Sequence, residues 1–202
     1  MIVVVGRPGL DARDRLDRSA GRVAAAAATA GGQVALVGSV GDDADGDAVA
    51  LELGRAGIGH AALLRDPAGV TPRSGVADGA ADAEDIEASP LPRLDAADIE
   101  LGLRYLAECQ VLVVAEPLDR AALDVAEAAA LYHGAALILL TQAGNSVATP
   151  PESATVLEMP DADGGAFSEL VGRYAALLDS GRGAAEAWHD AVSETGWQNA
   201  PA

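Results

Sequence analysis

Two short runs of glycine and aspartate carry the residue types that phosphate and hydroxyl chemistry uses. Near the carboxyl end, Pro160-Asp161-Ala162-Asp163-Gly164-Gly165-Ala166-Phe167 leads into a stretch of helical composition. A helix start presents backbone N–H groups and the positive end of the helix dipole, so Gly164 and Gly165 can cup an anion there. Asp161 and Asp163 stand just before it, and they equally suit a structural role as first-turn acids favoured by the dipole. In the amino-terminal third, Gly38-Ser39-Val40-Gly41-Asp42-Asp43 reads as a turn between an apolar strand and a helix. Gly and Asp in such a turn serve either a ligand or a helix N-cap.

Other chemistries lack their residues. Every basic residue is Arg, which removes a P-loop lysine, a Schiff base and a lysine general base. His60, His133 and His189 lie far apart, without partners at metal-ligand spacing, and no metal site is expected from them. Ser146 and Ser168 lack a Gly-x-Ser-x-Gly setting, so nucleophilic hydrolysis is not expected. Cys109 is the single cysteine and reads as a small core residue at a helix end. The net charge of −18 argues against nucleic acid as a partner, because phosphate backbones repel an acidic surface. The start, Met1 to Pro8, lacks the pattern of a signal peptide, and no apolar run approaches the roughly 18 residues of a membrane span. The expectation is a cytoplasmic protein with no membrane contact.

The elements that must position these residues alternate along the chain. Ile2–Val5, Val34–Val37, His60–Leu64, Val111–Val114, Ala136–Leu140 and Thr155–Glu158 read as short apolar strands. Between them, residues 19–30, 45–56, 95–106 and 119–133 read as helices, followed by 164–178 and 184–194. Asp95 suits an N-cap, and Gly134 and Gly31-Gly32 are helix stops. Residues 66–94, rich in Pro and Gly and carrying Asp82-Ala83-Glu84-Asp85, read as irregular. Continuous apolar strands alternating with helices predict an α/β fold over 1–202 as a single domain. Its sheet is mainly parallel and covered by helices on both faces. Ligands of such sheets sit beyond the carboxyl ends of the strands, here the loops after Val5, Val37, Val114 and Leu140.

The segment from Ala24 to Ile58 is more specific. A small-residue helix, a strand, Gly38, Gly41-Asp42-Asp43, Gly46, Leu53 and Gly57 follow one another at the spacing of the amino-terminal signature "vGdD..G". In this it resembles the ribokinase/PfkB family of carbohydrate kinases. Ile2–Gly6 resembles the first family strand, and Val111–Pro117, with Glu116-Pro117, the strand before the mid-domain helix. The stretch around Gly164–Phe167, with Gly181 and Glu186-Ala187, resembles the family's "GAGDAF…G…eA" segment.

The resemblance implies a ribokinase-like, Rossmann-like three-layer fold. It also implies ATP-dependent transfer of the γ-phosphoryl group to a hydroxyl of a small-molecule sugar or nucleoside, with ATP and Mg2+ as cofactors. On this resemblance Asp163 or Asp161 would be the base, and Gly164, Gly165, Thr141 and Gly144 would hold the nucleotide. Asp11, Gly41, Asp42 and Asp43 would meet the acceptor. Two positions depart from the pattern: the family's catalytic aspartate falls on Gly165, and its sugar-binding asparagine on Arg22. The alternative is therefore a catalytically inactive remnant that binds a ligand or a protein. The stretch after the first strand, Arg7 to Arg18, is short, so the family's dimer-forming lid is expected to be reduced or absent. The protein is expected to be a monomer or weak homodimer.

Overall fold

The computed structural model describes residues 1–75, 90–142, 149–160 and 165–197. Residues 76–89 of the acidic segment, Gly144, Asp161, Asp163 and Gly164 lie outside the described residues. Six parallel strands form the main sheet, in the order β5-β4-β1-β6-β7-β8. They are β1 (Ile2–Val5), β4 (Val34–Gly41), β5 (Gly59–Asp66), β6 (Val111–Val114), β7 (Ala136–Gln142) and β8 (Ala154–Met159). The described helices are α1 (Arg18–Thr29), α2 (Ala44–Arg55), α3 (Ala96–Arg104), α4 (Arg120–His133), α5 (Gly165–Asp179) and α6 (Ala184–Thr195).

The central strands are apolar at every position because both faces are covered. In β1, Ile2 and Val4 point into a core shared with α1, α2, α5 and α6, while Val3 and Val5 point into a second core under α3 and α4. The Ala-rich face of α1 lets α5 come unusually close. A Cβ on Gly172 would stand 2.6 Å from the Ala26 Cβ and 2.7 Å from the Ala27 nitrogen. Aromatic pairs close α6 and the residues after it onto α5, Trp188 against Tyr174 and Trp197 against Phe167. The helix ends follow the expected chemistry. Asp95 and Asp98 form a capping box on α3, Asp119 caps α4, and Gly134 ends α4 at φ 64°.

One sequence expectation is corrected. Gly38-Ser39-Val40-Gly41 is not a turn but the second half of β4, which runs eight residues and is buried throughout. Both glycines are there for packing: a Cβ on Gly38 would collide with the Gly6 carbonyl oxygen just past β1, and one on Gly41 with the Gly69 carbonyl oxygen and the Thr71 nitrogen. The bend comes at Asp42-Asp43 instead. Outside the main sheet lies one small antiparallel hairpin, β2 (Gly9–Leu10) with β3 (Leu16–Asp17), two residues per strand. Leu10 bridges to Arg73. Among the described residues no helix is long and apolar enough to cross a membrane.

Candidate functional site

The chain winds outward from β1 through β4 to β5, then returns to the other side of β1 and continues through β6, β7 and β8. The two halves part between β1 and β6, and in open α/β sheets ligands bind beyond the carboxyl ends of the strands at such a reversal. The ladder carries on past both strands: Gly6 donates to the Val37 carbonyl at 3.1 Å, and Ala115 to that of Val5 at 2.9 Å. At Gly6 (φ 153°) a Cβ would stand 3.0 Å from the Ala20 Cβ in the first turn of α1, 3.6 Å from the Glu116 Cγ and 3.7 Å from the Ala115 Cβ.

Next along the two strands come Arg7 and Glu116. Arg7 Nη1 donates to Glu116 Oε1 at 2.9 Å, and Arg7 Nε to the Pro92 carbonyl at 2.6 Å. Burial pushes the Glu116 carboxyl above its usual range, and the charges of Arg7 and Arg18 oppose that without cancelling it. On β4, one strand away, Ser39 is 1% exposed and its hydroxyl has no hydrogen-bond partner among the described residues. Sequence reasoning passed over Arg7, Glu116 and Ser39 as site residues. The signal that marks them is strand order, which the chain does not print.

The residues that the sequence did nominate divide into three places. Asp11 lies in the loop of the β2–β3 hairpin and is spent on it. Its carboxylate accepts the N–H groups of Arg13 and Arg15 at 2.8 and 2.9 Å and the Arg15 Nε at 2.8 Å. Burial works to raise its pKa, but these hydrogen bonds and the Arg15 charge outweigh burial and bring it to about 2. Gly41 and Asp43 clasp Thr71. Gly41 donates to Thr71 Oγ1 at 2.9 Å, and Asp43 accepts the Thr71 N–H at 2.8 Å while capping α2 through the Gly46 N–H at 2.7 Å. Burial again works to raise the Asp43 carboxyl, and the hydrogen bonds from Thr71 and Gly46 with the Arg65 charge hold it below its usual range. Asp42 is exposed. Arg73 joins these two places, pairing with Asp45 in α2 and Asp14 in the hairpin.

The third place is a cavity of about 480 Å3 between α1 and α5, lined by Leu16, Arg22, Gly165 and Glu169 among others. The two positions that depart from the expected pattern, Arg22 and Gly165, therefore face the same space. Arg22 is tied to Asp17, which is buried and also accepts from the Ser74 hydroxyl. Ser19, in the first turn of α1, donates to the Met159 sulfur at 3.6 Å, so β8 ends beside α1. Thr141 stands at the carboxyl end of β7, in register with Glu158. Among the described residues no three His, Cys, Asp or Glu side chains gather as a metal site.

No protein-family model matches the chain, and no curated protein matches it in sequence. Solved structures do match in fold. A PfkB protein from Polaromonas is 15% identical at a TM-score of 0.66, over 99% of this chain and 96% of that one. Arabidopsis thaliana ribokinase, complexed with ribose and ATP, is 13% identical at 0.61, over 96% and 90%. A candidate ribokinase II of E. coli, in complex with ATP and Mg2+, is 14% identical at 0.63, over 94% and 89%.

Proposed function

From an architecture that is that of the ribokinase/PfkB carbohydrate kinases, we propose that this protein binds a sugar or nucleoside and transfers to it the γ-phosphoryl group of ATP. The observation that carries the reading is the set of polar groups gathered at the carboxyl ends of β1 and β6. At the point where the sheet reverses its winding stand a part-buried Arg7–Glu116 pair and the first turn of α1, and the start of α5 lines a cavity with Arg22 on the outer side of α1. A part-buried carboxylate paired with Arg7 has oxygen lone pairs left to accept hydrogen bonds from ligand hydroxyls.

The residues present fit a polyphosphate in one respect. The helix α5 opens on Gly165, and a helix start carries the positive end of a dipole that favours anionic groups. Gly164 and Gly165, with Thr141 and Gly144, would hold the nucleotide. Mg2+ would be bound chiefly by phosphate oxygens and water, as is usual for this ion, and would neutralise charge on the transferring group. Asp163, or Asp161, would take the proton of the attacking hydroxyl, with Glu116 and Asp42 positioning the acceptor.

A second reading, a ligand- or protein-binding module without catalysis, is favoured by two observations. Gly165 brings no carboxylate to the head of α5, and Asp11, Asp43 and Arg22 are committed to internal partners. Assaying ATP turnover against a panel of sugars and nucleosides separates the two, with Asp163→Asn as control. Turnover above the control establishes the kinase. Binding of ATP–Mg2+ or a sugar in a calorimeter without turnover leaves the module.

A further inference from the structure

Arginine is the only cation in this chain apart from its amino terminus, and thirteen arginines face thirty-one carboxylates. Under that imbalance an arginine side chain normally finds a carboxylate, and eleven of the thirteen do. Among the described residues Arg13 and Arg18 do not. Arg13 is at the exposed tip of the β2–β3 loop. Arg18 is exposed too, but its charge acts on Glu116, beyond the carboxyl ends of β1 and β6. It opens α1, and its stem lies over Gly9, where a Cβ would come within 3.2 Å of the Arg18 Cδ. The residue two places on, Ala20, packs against Gly6 beside Glu116.

We propose that Arg18 binds an anionic group, a phosphate ester or a carboxylate, carried by the sugar or nucleoside that binds beyond these strand ends. The inference rests on the ligand-binding reading above and names its substrate class. A guanidinium offers a planar fork of donors that matches the oxygens of phosphate and carboxylate, and a neutral hydroxyl needs no such charge. Glu116 already has Arg7 as its ion-pair partner at 2.9 Å, so the Arg18 fork is left for a ligand oxygen. The backbone supports the same view. Arg18 sits at φ 58°, a region in which Gly or Asn would be at ease and a long side chain is strained. The position therefore holds an arginine against its local conformational preference.

The test is calorimetric titration of the full chain with ribose, fructose and glucose, with their phosphate esters, with gluconate, and with ATP–Mg2+. The anionic form of at least one sugar should bind about ten- to hundredfold tighter than the neutral form, a preference that falls as salt is raised. Arg18→Asn, which tolerates the left-handed backbone, should abolish the preference, and Arg13→Gln should keep it. Arg18→Gly is the second variant should Arg18→Asn fail to fold. Equal binding of neutral and anionic sugars overturns this inference and leaves the ligand-binding reading standing, as does a preference that survives both Arg18 variants. Weakening of ATP–Mg2+ alone in the Arg18 variants overturns it too, because the anion is then the nucleotide's. No binding of any sugar, phosphate ester or nucleotide overturns both.

Discussion

Replacing Arg7 by Met keeps most of the side-chain volume and strands Glu116. The Glu116 side chain is 13% exposed and that of Arg7 20%. Breaking a fully buried ion pair by removing one partner costs about 3–5 kcal/mol, and the residual solvent contact here lowers that to about 2 kcal/mol. The lost hydrogen bond to the Pro92 carbonyl adds about 1 kcal/mol. A deficit of about 3 kcal/mol in a chain of this length lowers Tm by about 6–12 °C. The pH dependence follows from Glu116, whose folded pKa is raised above its ordinary value of 4.5. A carboxyl of that kind favours the folded state when protonated, so its contribution is whole below pH 4.5 and is lost as pH rises through the folded pKa. Without Arg7 that pKa rises further, so the gap between Arg7→Met and the wild type should be small near pH 4.5 and widen towards pH 8. Thermal unfolding followed by circular dichroism across this range measures it, and the Arg7→Met/Glu116→Gln double variant should regain much of the loss at pH 8. A gap that is flat with pH, or a coupling energy under about 0.5 kcal/mol in the cycle, would refute the account of Arg7 and Glu116 as a desolvated pair.

Three further outcomes are expected. Gly172→Ala forces a methyl into the α1–α5 contact and should cost about 1–3 kcal/mol, read as a lower urea midpoint, while an unchanged midpoint means the helices are not packed as described. Asp43→Ala removes the cap of α2 and the bond to Thr71 together and should cost about 1–2 kcal/mol at pH 6. Because the folded Asp43 carboxyl lies below its usual 3.8, its contribution is present above that value and fades as pH falls further, so the variant and the wild type should converge in acid. Burial pushes the Cys109 thiol up to about 11, so a maleimide at pH 8 should label it slowly in the folded protein and quickly in urea, and fast native labelling would contradict its place under β6.

Much of the fold was legible because local chemistry and global architecture agree. The run Val111–Val114 has one good solution, a strand buried on both faces, and Asp119 and Gly134 mark the ends of α4 by the capping that their side chain and backbone allow. Where local signals are ambiguous, the fold departs from them. Gly38 and Gly41 look the same whether they turn the chain or allow a close approach, and only the atoms that face them decide for β4: the Gly6 carbonyl beside Gly38, and Gly69 and Thr71 beside Gly41. The candidate site was legible in its parts and not in its assembly. Asp11 and Asp43 were visible as acids at loop ends, but whether such a carboxylate faces a ligand or its own backbone depends on partners such as Thr71, twenty-eight residues away.

The sequence by itself determined the alternation of buried strands and helices, the helix ends and the excess of acid over base, because each of these is written in neighbouring residues or in composition. Only the tertiary structure decided that Arg7 and Glu116, 109 residues apart, meet where the sheet reverses its winding, and that Arg22 and Gly165 line one cavity. Strand order sets those meetings. It emerges from the packing of both faces at once, and no local stretch of the chain contains it.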